Sequence, residues 1–197
     1  MPQRMAQVLQ LQPDFVEVLT WNDAGECHYV GDFWQEQIAG TTEGDYSDDF
    51  DHKGWLRVLT PFIRAFKAGA RDISQITPQG SAPVGTFWYR TLLTSASCSS
   101  SIQNYQQGQD AINFAIILPS TGYTIKVFSN NQLIGSFPGK PGLNYNSVLG
   151  LQAGGGQFVQ VVDALNKVIA SATGTKDVLT QSPNATCNWN YEVVGFS

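Results

Sequence analysis

Downstream of residue 110 the sequence is a run of short apolar stretches cut at close intervals by turn residues. Residues 111–118 read as one strand, 123–129 as the next and 132–137 as a third, with Pro119-Ser-Thr-Gly122 and Asn130-Asn131 as the turns between them. Pro138-Gly-Lys-Pro-Gly142 is a further turn cluster, and Gly154-Gly-Gly156 precedes a strand at 157–162. Segments 167–172, 177–180 and 191–196 complete the series. Strands this short can bury an apolar face only by pairing and stacking. This half is therefore predicted to be an antiparallel β-sandwich or a barrel. No Lys-Ser/Thr follows the Gly154 run, which excludes a phosphate loop and leaves a tight turn.

The first half reads differently. Residues 3–11 look like a helix that stops before Pro13, and residues 15–19 look like a strand with Glu17 as the one break. Residues 22–53 are polar and aromatic with little periodicity, and they read as a long structured loop of the kind that often carries function. The clearest helix covers 55–67. Trp55, Val58, Leu59, Phe62, Ile63 and Phe66 form its apolar stripe, while Arg57, Arg64 and Lys67 fall mostly on the other side. Gly69 marks its end, and Pro61 is expected to kink or split it. A polar linker over 70–85, a strand at 87–93 and a Ser/Gln-rich stretch over 94–109 follow. A strand, a loop and a helix make one β-loop-α unit. The expected fold class is α/β plus all-β, with a boundary between about 85 and 105.

Charge is concentrated at the same end. Residues 1–99 hold 12 acids and 7 bases, whereas residues 100–197 hold 4 of each. A net charge of −5 argues against a nucleic-acid partner. The acids lie mostly between Asp14 and Asp51, which fits either a solvated acidic loop or a carboxylate-lined cleft for a neutral polyol such as a sugar. No apolar run approaches the ~20 residues of a membrane span, so no membrane partner is expected. The three cysteines match no zinc spacing. One disulfide between Cys98 and Cys187 with a free, partly buried thiol at Cys27 is one reading, and it implies an oxidising compartment. Asn184-Ala-Thr186 is a glycosylation sequon. Residues 45–51 are oxygen-rich but lack the glycine and terminal Glu of a calcium loop, so no metal and no cofactor are expected.

Asp23 and Glu26 follow the predicted 15–19 strand at once, with Gly25 between them. In a (β/α)8 barrel the loops after the strands carry the catalytic groups. Two carboxylates there suit glycoside hydrolysis, one to protonate the leaving oxygen and one to activate water or attack the sugar carbon. Asp-x-x-Glu alone is a common surface pattern. Trp21 reads as a subsite floor or as core packing. Asn22 reads as a hydrogen-bonder to sugar or to Asp23, or as a turn cap. His28 and Tyr29 read as sugar contacts or loop packing, and His52 as a subsite residue or helix-entry packing.

The run Thr20-Trp-Asn-Asp-Ala-Gly-Glu-Cys-His-Tyr29 resembles the TWNDYGESHY signature of fungal glycoside hydrolase family 71, the endo-1,3-alpha-glucanases or mutanases. The likeness continues through Lys53-Gly-Trp55, Phe66-Lys-Ala-Gly69, Phe87-Trp-Tyr-Arg90, Val127-Phe-Ser-Asn-Asn131, Leu133-Ile-Gly135, Gly142-Leu-Asn-Tyr145, Ala153-Gly-Gly-Gly-Gln-Phe158 and Cys187-Asn-Trp-Asn-Tyr191. The resemblance implies a TIM-barrel enzyme followed by a β-rich domain. It implies inverting cleavage of internal alpha-1,3 linkages in fungal cell-wall alpha-glucan, an extracellular location and a monomer. It places the catalytic pair at Asp23 and Glu26, with Glu26 as general acid and Asp23 as general base. Ala24 and Cys27 depart from the signature, and Ala24 is expected to remove a sugar-stacking ring. A whole barrel takes about 250 residues. The chain is therefore expected to be a C-terminal fragment with little activity alone, comprising a barrel remnant over 1–90 and an accessory β-sandwich over 100–197. A lone barrel strand leaves edges unpaired and the helix stripe without a sheet to cover. Residues 1–85 are thus expected not to fold alone. A non-catalytic carbohydrate-binding or wall-associated β-domain is the alternative.

Overall fold

The computed structural model describes residues 1–25, 27–99, 103–183 and 186–196. Two four-stranded antiparallel sheets dominate it. The first has the order β10(Tyr191–Phe196)-β1(Val84–Arg90)-β3(Ala111–Leu118)-β6(Gly142–Leu149), and the second β5(Gln132–Pro138)-β4(Thr124–Ser129)-β7(Phe158–Val162)-β8(Val168–Thr173). A two-stranded parallel ladder pairs β2(Leu92–Ser97) with β9(Leu179–Gln181). The β-rich expectation therefore holds.

The sheets are glued face to face by side chains at alternating positions. Phe87 and Tyr89 of β1 and Ile112, Phe114, Ile116 and Leu118 of β3 meet Ile125 and Val127 of β4 and Val159 and Val161 of β7. β3 carries the longest unbroken apolar run, and the reason is visible. Ala115 and Ile117, on its other face, are also buried, against a helical layer. A strand covered on both faces loses the usual polar alternation. The β4–β5 turn uses Asn130 and Asn131 at φ 48° and 62°, the left-handed pair that a two-residue hairpin needs.

The helical layer comprises α1(Pro2–Leu11), α2(Gln35–Ile38), α3(Thr42–Ser47) and α4(Leu56–Lys67), with a 3-10 turn at Lys53–Trp55 leading into α4. The α4 stripe does find a sheet to cover. Val58, Leu59, Phe62 and Ala65 pack with Met5 and Leu9 of α1 and with Ala115, Ile117 and Leu143. Gly54 seats the 3-10 turn directly on β10. A Cβ there would lie 2.9 Å from the Val193 carbonyl oxygen, so only glycine permits the approach.

Four readings need correction. Residues 15–19 form no strand. A barrel strand is held by ladders to neighbours, and none pairs with this segment among the described residues, which leaves Phe15 91% and Leu19 67% exposed. Pro61 does not split the helix, which runs continuously over 12 residues. β6 is a strand that its Asn144, Asn146 and Ser147 had hidden, because such residues are poor strand formers and the pairing with β3 overrides them. The run predicted at 87–93 also divides at Thr91, where the chain leaves the large sheet for the β2–β9 ladder.

Candidate active site

The acid-bearing segment is the apex of a loop closed by backbone rungs. Thr20 N–H donates to the His28 carbonyl at 3.4 Å, Val30 N–H to Thr20 at 3.1 Å and Gly31 N–H to Trp21 at 2.9 Å. Within the apex Cys27 N–H donates to the Ala24 carbonyl at 3.1 Å, and Asp23 N–H donates to Thr20 Oγ1 at 3.2 Å. Asp23 is half-buried there. Glu26 and Asn184 lie outside the described residues, and so the second acid and the sequon have no structural account. Burial, and then the Asp23 charge, push the Cys27 thiol above its ordinary pKa, which keeps it protonated and a poor nucleophile.

The sequence-predicted binding residues divide into two groups. Trp21, Asn22 and His28 are exposed around the apex. Trp21 is not core. It is 59% exposed and its indole lies across Gly31, where an added Cβ would approach the ring to 2.3 Å. Tyr29 and His52 are 1% and 2% exposed and form an internal stack, with ring centroids 4.0 Å apart and planes 6° from parallel. Their packing alternatives are the ones realised. Ala24 is also buried, so position 24 presents no stacking surface in this chain.

Two residues near the loop escaped sequence reasoning. Glu43, on α3, lies beside the apex: a Cβ added at Gly25 would sit 3.5 Å from Glu43 Cγ and 3.7 Å from an Asp23 carboxylate oxygen. Asn190, 3% exposed, donates from Nδ2 to Tyr29 OH at 3.1 Å. No periodicity or spacing could signal either one, since both reach the loop through tertiary packing. A cleft of about 250 Å³ adjoins the loop on the Tyr29 side, lined among others by Asp32, Phe33, Phe50, Asp51 and Lys53. Lys53 Nζ bridges Asp32 at 2.8 Å and Asp51 at 3.2 Å. Among the described residues no group of three or more His, Cys, Asp or Glu side chains is placed to hold a metal ion.

His52 makes the site's clearest pH statement. Burial pushes its imidazole below the usual pKa of 6.5, against the pull of hydrogen bonds to the Tyr191 and Tyr29 carbonyls and to Asn190. The folded state thus resists a proton that the unfolded chain accepts. Stability attributable to His52 is full above pH 6.5 and declines as the pH falls from there towards the lowered folded value. Thermal midpoints between pH 7.5 and 5.5 should fall in the native protein, and His52→Gln should flatten that fall while lowering the midpoint at pH 7.5. An unchanged slope in the variant would place the acid sensitivity elsewhere.

Cys98 and Cys187 are joined as a disulfide across 89 residues of sequence. Cys187 is buried with Leu92 and Ala96, which ties β2 to the approach of β10.

Comparison with known proteins bears on the whole chain. The model of glycosyl hydrolase family 71 matches residues 1–197. The chain is 35% identical over 146 residues to a glucan endo-1,3-alpha-glucosidase of Schizosaccharomyces pombe, covering 72% of this chain and 32% of that protein. It is 33% identical over 132 residues to a mutanase of Penicillium rubens, covering 65% and 28%. It is 26% identical over 204 residues to the ascus wall endo-1,3-alpha-glucanase of S. pombe, covering 95% and 45%. The chain thus spans less than half the length of these curated relatives. No solved structure matches it significantly. With the family model matched from the first residue to the last, the chain belongs to glycosyl hydrolase family 71.

Proposed function

We propose that this chain carries the acid loop of a hydrolase that cleaves internal alpha-1,3-glucosidic bonds of fungal cell-wall alpha-glucan with inversion. The observation that carries the reading is the family match over the full chain, joined to relatives named for that activity. Glu26 protonates the leaving glycosidic oxygen. Asp23, held half-buried at the apex, takes a proton from the attacking water. Inversion needs a water between the two groups, hence carboxyls roughly 6.5–9.5 Å apart. Exposed Trp21, Asn22 and His28 border the bound sugar. The helical layer over residues 1–83 belongs with the catalytic part and 84–197 with the accessory sandwich, a boundary earlier than the expected 90–100 because β1 lies between β10 and β3. The chain works outside the cell or in the wall as a monomer without a cofactor, and the Cys98–Cys187 bridge suits an oxidising compartment.

The chain produced alone turns over little, because a catalytic group gains its rate from walls that fix the substrate. A non-catalytic glucan-binding role is favoured by one observation, the exposed Trp21 and Trp34 beside an open loop. Incubating alpha-1,3-glucan with the longest polypeptide that the gene encodes decides between the two. Release of reducing ends from alpha-1,3-glucan but not alpha-1,4-glucan is the hydrolase outcome. Retention on the glucan without release is the binding outcome.

A further inference from the structure

We propose that Asn190 is a positioning residue for the acid loop: the approach to the last strand grips the buried Tyr29 and so fixes where the loop holds Asp23. The catalytic importance of the grip rests on the function proposed above; the grip itself does not. Tyr29 follows the apex directly, and its ring is held at one face, at an edge and at the hydroxyl. Its hydroxyl donates to the Phe50 carbonyl at 2.6 Å and accepts from Asn190 Nδ2 at 3.1 Å. One face stacks on His52, and Phe33 meets the ring edge-on at a centroid distance of 5.0 Å. His52 Nδ1 in turn lies 3.2 Å from the Tyr29 carbonyl oxygen and Nε2 3.1 Å from that of Tyr191, and the neutral ring donates to one of the two at a time.

Asn190 spends its whole amide on this junction. Nδ2 also donates to the Tyr46 carbonyl at 3.0 Å, and Oδ1 accepts from Tyr191 N–H at 2.8 Å. Asn188 adds a second donor to Tyr46, at 3.0 Å. The loop, α3 and the start of β10 are therefore one buried polar joint, although Tyr29 and Asn190 are 161 residues apart. Removing the amide leaves the Tyr46 carbonyl and the Tyr29 hydroxyl without that donor in a buried place, where polar groups are costly to strand.

The sequence supplies its own reporter. Cys27 sits in the loop and is the one free thiol, since Cys98 and Cys187 are bridged. Its rate of reaction with a neutral aromatic disulfide at fixed pH reads loop opening without any need for turnover. Asn190→Asp keeps the acceptor and deletes the donor, while Tyr29→Phe deletes the hydroxyl alone. Each should speed Cys27 labelling by about tenfold or more, the factor that one lost buried hydrogen bond implies. Val127→Ala, which thins the core between the two sheets, controls for general loosening at matched distance from its thermal midpoint. An unchanged Cys27 rate in both loop variants, or equal acceleration in Val127→Ala, overturns the proposal. In the active polypeptide Asn190→Asp should lower kcat with KM little changed. If labelling responds but no form hydrolyses glucan, the joint stands and the hydrolase reading falls.

Discussion

Asp23→Asn and Glu26→Gln should each lower hydrolysis of alpha-1,3-glucan by about 10²–10⁴-fold in the active polypeptide, the range that a positioned acid or base contributes. Neither change should cost much stability. Asp23 is half-buried, and its backbone N–H donates to Thr20 Oγ1, a bond that asparagine preserves. An amide in place of a carboxyl keeps the shape and loses the proton traffic. The effect should therefore appear in kcat, with thermal midpoint and glucan retention held near native values. Glu43 is the informative comparison. It lies beside Gly25, yet the family signature does not include it, so Glu43→Gln should have a far smaller effect than either variant. A Glu43 effect equal to that of Asp23 would reassign the pair.

Loss of the Cys98–Cys187 bridge should have the largest effect on stability. Closing a loop of 89 residues restricts the unfolded chain by about 2–5 kcal/mol. In a chain of this size that corresponds to a thermal midpoint lower by roughly 4–20 °C. Cys98→Ser with Cys187→Ser, or reduction under mild thiol, should show it. The bridge also anchors the chain just ahead of Asn188 and Asn190. Its loss should loosen the joint to Tyr29 before the sandwich melts. A midpoint that does not move on reduction would mean that the β2–β9 ladder and the packing around Leu92 suffice without the covalent link.

The sandwich was legible because its signals are local. The alternation in β4, the unbroken run in β3 and the Asn130-Asn131 turn each declare themselves within a few residues. β6 was not, because its Asn residues deny the strand that pairing with β3 imposes. The 15–19 segment is the opposite case: Phe15, Val16, Val18 and Leu19 have β character, but a strand exists only where a partner supplies the ladder. Pro61 was misjudged because propensity is a weak prior beside the burial of Val58, Leu59 and Phe62 on the sheet. At the site, Trp21, Asn22 and His28 are exposed at the apex, which their motif alone left open between a sugar contact and packing or capping. Tyr29 and His52 stayed open between ligand contact and packing, because the sequence does not reveal which ring of an aromatic loop turns inward. The partner that turns them inward, Asn190, arrives from the far end of the chain.

Proton NMR of soluble alpha-1,3-linked glucose oligomers during hydrolysis tests the central claim most directly. The account predicts that the β-anomer of the new reducing end appears first, and that the signal is lost in Asp23→Asn and Glu26→Gln. First appearance of the α-anomer, or full activity in either acid variant, would contradict it.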